Sequence, residues 1–146
     1  TENPILNIWL TDKNAVMQEK GIHSDIKIDN VDLSYIEPID ITTIFGNLLD
    51  NAVKYAPEGS EITVTVRPYE LFCRIDVQDQ GIGILPEEQS RIFQRFYRSP
   101  AVADREGVGI GLYLTREILA AQGGFIKVQS EPGQGSTFSV FLPQAQ

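Results

Sequence analysis

Three groups of residues in this chain combine types and spacings that suit chemistry. Asn47, Asn51 and Lys54 recur at about one turn on a helical pattern. An amide oxygen is a hard ligand of the kind Mg2+ accepts, and a lysine one turn further on can meet phosphate. The same stripe is also what a merely solvated helix face shows. Asp79-Gln80-Gly81-Ile82-Gly83 follows a strand pattern. Aspartate and glycine there suit an ordinary tight turn. They also suit a site where backbone approaches a ligand closely and one carboxylate accepts from an exocyclic amine. Adenine carries that donor, whereas guanine shows an oxygen in the corresponding place. Gly107-Val108-Gly109-Ile110-Gly111-Leu112 opens a further helical pattern. Each glycine costs a helix roughly 1 kcal/mol against alanine. Their presence points to backbone N–H groups that must come close to an anion, unless the segment is a flexible loop with chance glycines. The pattern is neither the phosphate loop ending in Gly-Lys-Ser/Thr nor the dinucleotide fingerprint, which needs glycine where Leu112 stands.

Helices and strands must position these groups. Asn3-Pro4 suits a helix start, and Ile5, Ile8, Trp9 and Val16 recur at helical spacing up to Gly21. Ile22, Ile26 and Ile28 suggest a strand, with a short partner near Leu33–Ile36. The most regular helix is expected from Asp40 to Ala56, burying Phe45, Leu48, Leu49, Ala52, Val53 and Ala56. Two strands follow, one through Ile62, Val64 and Val66 and one over Phe72–Val77, joined by a turn near Pro68–Glu70. A short helix is expected over Gln89–Tyr97, carrying Ile92, Phe93 and Phe96. The segment Ser99–Glu106 reads as a mobile loop. A helix over Val108–Ala121 places Ile110, Leu114, Ile118 and Ala121 in register and ends at Gly123-Gly124. Phe125–Ser130 and Ser136–Leu142 are the last strands. The expected fold is α+β: a two-layer α/β sandwich with a mixed, mostly antiparallel sheet and helices on one face.

Composition removes several classes. The chain has 146 residues, 42% hydrophobic and 22% charged, which fits one globular domain spanning residues 1–146. Twelve Lys and Arg against twenty Asp and Glu give a net charge of −8, which argues against nucleic acid as a partner. No apolar run approaches the ~18–20 residues that span a membrane, and no signal peptide is visible, so no direct membrane contact is expected. The single cysteine, Cys73, cannot form an internal disulfide and has no basic environment marking a reactive thiol beyond Arg74. The single histidine, His23, cannot supply a Cys/His zinc site. Trp9, Phe45 and Phe138 read as core residues.

Taken in order, five short motifs resemble the catalytic, ATP-binding domain of sensor histidine kinases, within the gyrase–Hsp90–histidine kinase–MutL ATPase group. They are Asn47-Leu-Leu-Asp-Asn51-Ala-Val-Lys54-Tyr55, Asp79-Gln-Gly81-Ile-Gly83, Phe93-Gln-Arg-Phe96-Tyr97-Arg98, Gly107-Val-Gly109-Ile-Gly111-Leu112 and Gly133-Gln-Gly135-Ser-Thr137-Phe. The resemblance covers about residues 22–143 and implies a Bergerat-type fold with ATP between the asparagine helix and a lid at about 98–107. It implies ATP and Mg2+ as cofactors. By the resemblance Asn51 is the Mg2+ ligand and Asn47 lines the same site. Lys54 and Tyr55 contact phosphate and sugar, and Asp79 accepts from the adenine amine with Gly81 and Gly83 close by. Gly107, Gly109 and Gly111 offer backbone donors to phosphate. Ile84, Phe96, Val108, Ile110, Leu112 and Thr137 complete the nucleotide lining, and Arg98 reaches the γ-phosphate or the partner domain.

The resemblance also ranks activities. Hydrolysing members of the group carry a glutamate one turn before the metal-binding asparagine, to activate water. Here that place holds Asn47, and an amide is a poor general base. That suits a kinase whose acceptor is an imidazole. Small anti-sigma-factor serine kinases are the alternative; they tend to carry glutamate there and to lack the Phe-x-x-Phe-Tyr-Arg motif. A degenerate nucleotide-binding interaction module is the other. The phosphoacceptor histidine of the family sits on a separate dimerising helical domain, and His23, in a strand pattern, does not match it. The expectation is therefore a monomeric catalytic fragment of a longer bacterial membrane sensor, lying on the cytoplasmic side. It does not phosphorylate itself alone, and a response regulator acts downstream.

Overall fold

The computed structural model describes residues 17–29, 31, 33, 35–95, 97 and 111–144; the side chains of Lys54 and Tyr55 also fall outside the description. Strand β1 is His23–Ile28, helix α1 Pro38–Tyr55, β2 Glu61–Tyr69, β3 Phe72–Asp79, the one-turn helix α2 Pro86–Gln89, α3 Gly111–Ala121, β4 Phe125–Glu131 and β5 Gly135–Pro143. The strands form one five-stranded sheet in the order β1-β2-β3-β5-β4. Among the described strands only β1 and β2 pair in parallel, because α1 carries the chain back over the sheet between them. The remaining pairs are antiparallel.

Period-two alternation divides the sheet into two faces. Ile62, Val64 and Val66 of β2, Cys73, Ile75 and Val77 of β3, and Phe138, Val140 and Leu142 of β5 are buried toward the helices. Opposite them stand Ile41, Ile44, Phe45, Leu48, Leu49 and Ala52 of α1 and Leu119 of α3. Phe45 and Phe138, each 1% exposed, contribute about 1.5–3 kcal/mol apiece by leaving water. Phe93, in the turns after α2, meets Phe138 edge to face with ring centroids 6.3 Å apart. The outer face carries a smaller cluster in which Phe125 stacks on Phe141 at 4.6 Å and Phe72 meets both edge-on. Asp76 sits on that face, accepting from Arg74 Nε at 3.1 Å and from Ser139 Oγ at 2.6 Å.

The expected two-layer α+β architecture is the one observed, and several local expectations change. Of the stretch expected as a strand near Leu33–Ile36, the described residues 33, 35 and 36 are not in one: Ile36 N–H closes a turn onto Leu33 O at 3.1 Å, and both of these side chains are core anchors. The most regular helix begins at Pro38, two residues before Asp40, since Pro suits the first helical turn. The helix expected over Gln89–Tyr97 instead starts at Pro86 and ends at Gln89, with turns carrying Ile92 and Phe93. In α3 the buried residues are Thr115 and Leu119, whereas Leu114 is exposed and Ala121 lies at the surface. The expected N-terminal helix lies outside the described residues except for its end at 17–19. Cys73 is buried, which pushes its thiol up to about 12 and makes it inert.

The hairpin between β2 and β3 turns at Glu70-Leu71, and Glu70 has φ of 56°. A two-residue turn with positive φ at its first central residue favours glycine there. Glu70→Gly should therefore stabilise the fold by about 0.5–1 kcal/mol, read as a rise in melting temperature of roughly 2–4 °C per kcal/mol. An unchanged or lower melting temperature would contradict the turn geometry.

Candidate functional site

Asp79 ends β3 on the helix-facing side of the sheet and is 3% exposed. Its Oδ1 accepts the Gly81 N–H at 2.9 Å. Burial pushes its carboxyl above the usual carboxylate range, while the backbone N–H groups of Gly81 and Ser136 pull the other way. Across the β3–β5 ladder Asp79 is paired with Ser136. Just before it, Gly135 has φ of +92°, and a Cβ there would stand 2.1 Å from the Asp79 carbonyl oxygen. β5 can begin against Asp79 only with glycine at that point.

The loop after Asp79 is held from the β4–β5 hairpin. Gly133 N–H donates to Ile82 O at 2.7 Å, and Ile84 N–H donates to Ser130 Oγ at 2.7 Å. Gln89 Nε2, on α2, donates to both Ile84 O and Ser130 O at 3.0 Å. Gly83 has φ of +76°, and a Cβ there would lie 2.1 Å from Glu131 O. The chain's own backbone therefore requires this glycine, in addition to any ligand. Gly81 is buried and Ile84 half-buried in the same loop.

Asn47 lies on the side of α1 that meets α3. Its Nδ2 donates to Gly111 O at 2.9 Å and to Thr115 Oγ1 at 3.2 Å. A Cβ on Gly111 would come within 3.3 Å of the Asn47 amide, so the first turn of α3 packs directly on this side chain. Asn51, one turn further along α1, is half-buried, as is Leu112 in α3. Lys54 and Tyr55 belong to the last turn of α1. Tyr97 Oη donates to Glu88 Oε1 at 2.9 Å, and burial followed by the Glu88 carboxylate raises the phenol above its ordinary range.

The structure thus assembles two groups: Asn47 with Gly111, and Asp79 with Gly81, Gly83 and Ile84. It does not bring Thr137 to them. Thr137 is paired with Gln78 and Gln129, both exposed, on the face away from the helices. The hydroxyl beside Asp79 belongs to Ser136. Alternation shows why: Phe138 is a core residue, so Ser136 shares its face and Thr137 does not. Sequence reasoning also missed Ser130, Gln89 and Thr115. Of these only Thr115 left a trace, four residues before the apolar Leu119 on a helical pattern. His23 is an exposed residue at the start of β1. Phe96, Arg98, Gly107, Val108, Gly109 and Ile110, with the expected lid at 98–107, lie outside the described residues.

Chemically, the Asp79 end offers a fixed carboxylate in a dry setting, which suits recognition of an uncharged N–H donor. The α1–α3 junction offers an amide already committed as a donor. Among the described residues no group of His, Cys, Asp and Glu is placed to hold a metal ion, and no helix is long and apolar enough to cross a membrane.

Comparison with known proteins bears on this arrangement. Residues 36–146 match the family described as histidine kinase-, DNA gyrase B-, and HSP90-like ATPase. The sensor-like histidine kinase SenX3 of Mycobacterium tuberculosis is 41% identical over 105 residues, covering 70% of this chain and 26% of the relative. The sensor protein SrrB of Staphylococcus aureus is 38% identical over 105 residues, covering 70% of this chain and 18% of the relative. The chain therefore spans about a quarter or less of the length of these curated relatives. The mycobacterial sensor histidine kinase MprB shares the fold with a TM-score of 0.81 at 23% identity, over 96% of this chain and 92% of that one. Full-length ShkA, solved in complex with AMPPNP, superposes with a TM-score of 0.78 at 26% identity, over 97% of this chain and 30% of that one.

The burial of Asp79 gives a prediction with a definite sign. Its folded carboxyl titrates above its unfolded value, so its contribution to stability is largest in acid. That contribution is lost as pH rises from the unfolded carboxylate range through the folded value. Asp79→Asn removes this slope. Melting curves from acid to neutral pH should show the variant gaining on the wild type as pH rises and matching or exceeding it at pH ~7. A variant that loses ground toward neutral pH would mean the carboxylate stabilises the fold.

Proposed function

Because this chain belongs to the histidine kinase-, DNA gyrase B- and HSP90-like ATPase family, we propose that it binds Mg-ATP and delivers the γ-phosphoryl group to a histidine on a separate dimerisation domain. The observation that carries the reading is the state of Asn47. Both of its side-chain hydrogen bonds among the described residues are donations from Nδ2, to Gly111 and Thr115. An amide fixed in this way has no basic atom to take a proton from water, so the cleft suits transfer to a nucleophile that is already competent. A neutral imidazole is such a nucleophile. Its ring nitrogen bonds to the γ-phosphorus as the bond to the β-phosphate oxygen breaks, and ADP leaves.

Other residues support the same reading. Asp79 accepts from the exocyclic amine of adenine, with the glycine loop alongside. The ShkA complex with AMPPNP favours an adenine nucleotide as ligand. Asn51 makes no side-chain hydrogen bond among the described residues and presents a hard oxygen of the kind that would hold Mg2+, which would supply charge neutralisation for the phosphates. The first turn of α3 presents N–H groups suited to phosphate oxygens. Lys54, Tyr55, Arg98 and Gly107 to Gly111 complete the phosphate side in this reading. In this reading the chain is a cytoplasmic catalytic domain, monomeric by itself, of a longer membrane sensor that feeds a response regulator; its likeness to a sensor-like histidine kinase and a sensor protein, of which it covers 26% and 18%, supports a longer sensor.

The test mixes this domain with γ-labelled ATP, Mg2+ and a separately expressed helical domain bearing the phosphoacceptor histidine. Acid-labile label should appear on the helical domain and none on this chain, with little free phosphate. Acid-stable label would instead indicate a serine acceptor. Steady phosphate release without transfer would indicate a hydrolase. Either result overturns the proposal.

A further inference from the structure

Ser130 is the meeting point of the glycine loop, α2 and the β4–β5 hairpin. Its Oγ accepts the Ile84 N–H at 2.7 Å, donates to Gly135 O at 2.9 Å, and lies 2.8 Å from Ser136 Oγ. Its backbone carbonyl is held by Gln89. A serine hydroxyl has one proton and two lone pairs. Gly135 O is a carbonyl and cannot donate, so the Ser130 proton belongs to that contact. One lone pair takes the Ile84 N–H. The remaining lone pair faces Ser136, which must be the donor in the contact between the two hydroxyls. Every hydrogen-bonding capacity of Ser130 is then used.

The consequence falls on Ser136, which is 7% exposed and paired across the ladder with Asp79. Its proton is turned toward Ser130, and only lone pairs remain for anything bound beside Asp79. We infer that Ser130 is a positioning residue for base selection: by taking the Ser136 proton it leaves the Asp79 end of the cleft with acceptors alone. Such an end matches an exocyclic amine, which brings two N–H groups, and opposes a ring carbonyl at the same place, directly or through a bridging water. Hypoxanthine carries that carbonyl. The inference rests on the nucleotide reading above and deepens it. With Ser130 replaced by alanine, the Ser136 hydroxyl is free to rotate and to donate to a carbonyl.

A merely structural role for Ser130 would weaken all nucleotides alike, so the readout is a ratio. Dissociation constants for ATP and inosine triphosphate are measured by calorimetry on wild type, Ser130→Ala and Ser130→Thr, with a melting curve for each. The wild type should prefer ATP. Ser130→Ala should lower that preference by about tenfold, the equivalent of ~1.4 kcal/mol, and Ser130→Thr, which keeps the hydroxyl, should restore it. If the alanine variant does not fold, Ser130→Cys keeps the volume with a weak hydrogen bonder and carries the same comparison. An unchanged ratio in the alanine or cysteine variant overturns the inference even if both affinities fall, and leaves the nucleotide reading standing. A wild type that binds neither nucleotide overturns both.

Discussion

The carboxylate of Asp79 sits where water barely reaches it, at the point where β3, β5 and the glycine loop converge. Burying an ionisable carboxyl is costly unless donors compensate it. Here two backbone N–H groups do so in part, from Gly81 on one side and Ser136 on the other, and the carboxyl still titrates high. Much of the surrounding structure follows from this placement. β5 must start flush against the Asp79 backbone, which makes Gly135 obligatory. The loop that donates Gly81 N–H must then turn past the β4–β5 hairpin, which makes Gly83 obligatory too. Ser130, Gly133 and Gln89 hold that loop to the hairpin and to α2.

The remainder of the fold supplies a rigid frame for this corner. β3 and β5 are central strands, buried toward the helices through nearly their whole length, so Asp79 and Ser136 project from the best-packed part of the sheet. α1 lies over β3 and meets α3. The Asn47 amide fastens α1 to the first turn of α3, so the start of α3 is positioned by a side chain and not by apolar packing alone. A glutamate at that position would lack the two amide donors that reach Gly111 and Thr115. In the proposed kinase reading, the residue standing in place of a general base is also the one that docks the helix.

Much of this was legible in the sequence because it is written in local patterns. The period-two alternation of Ile62, Val64 and Val66 and the one-sided apolar stripe of α1 fixed the layers, and the glycine motifs marked Asp79 and its loop. Failures occurred where a local pattern did not carry the deciding contact. Leu33 and Ile36 lie three residues apart, which in a strand would put them on opposite faces; the turn between them buries both as anchors. Helical phase turns Leu114 inward, whereas in the structure the polar Thr115 faces inward, where Asn47 bonds to it. The glycine motif draws attention to Thr137, whereas alternation from Phe138 places Ser136 beside Asp79. Ser130 and Gln89 gave no signal, since their role is to join segments more than forty residues apart in the chain.

The claim on which the account turns is that Asp79 is retained for a ligand and not for the fold. Calorimetric titration of wild type and Asp79→Asn with ATP and Mg2+, alongside circular dichroism of both, addresses it directly. The account predicts binding by the wild type, its loss in the variant, and indistinguishable spectra. Equal ATP affinity in the two folded proteins would contradict it.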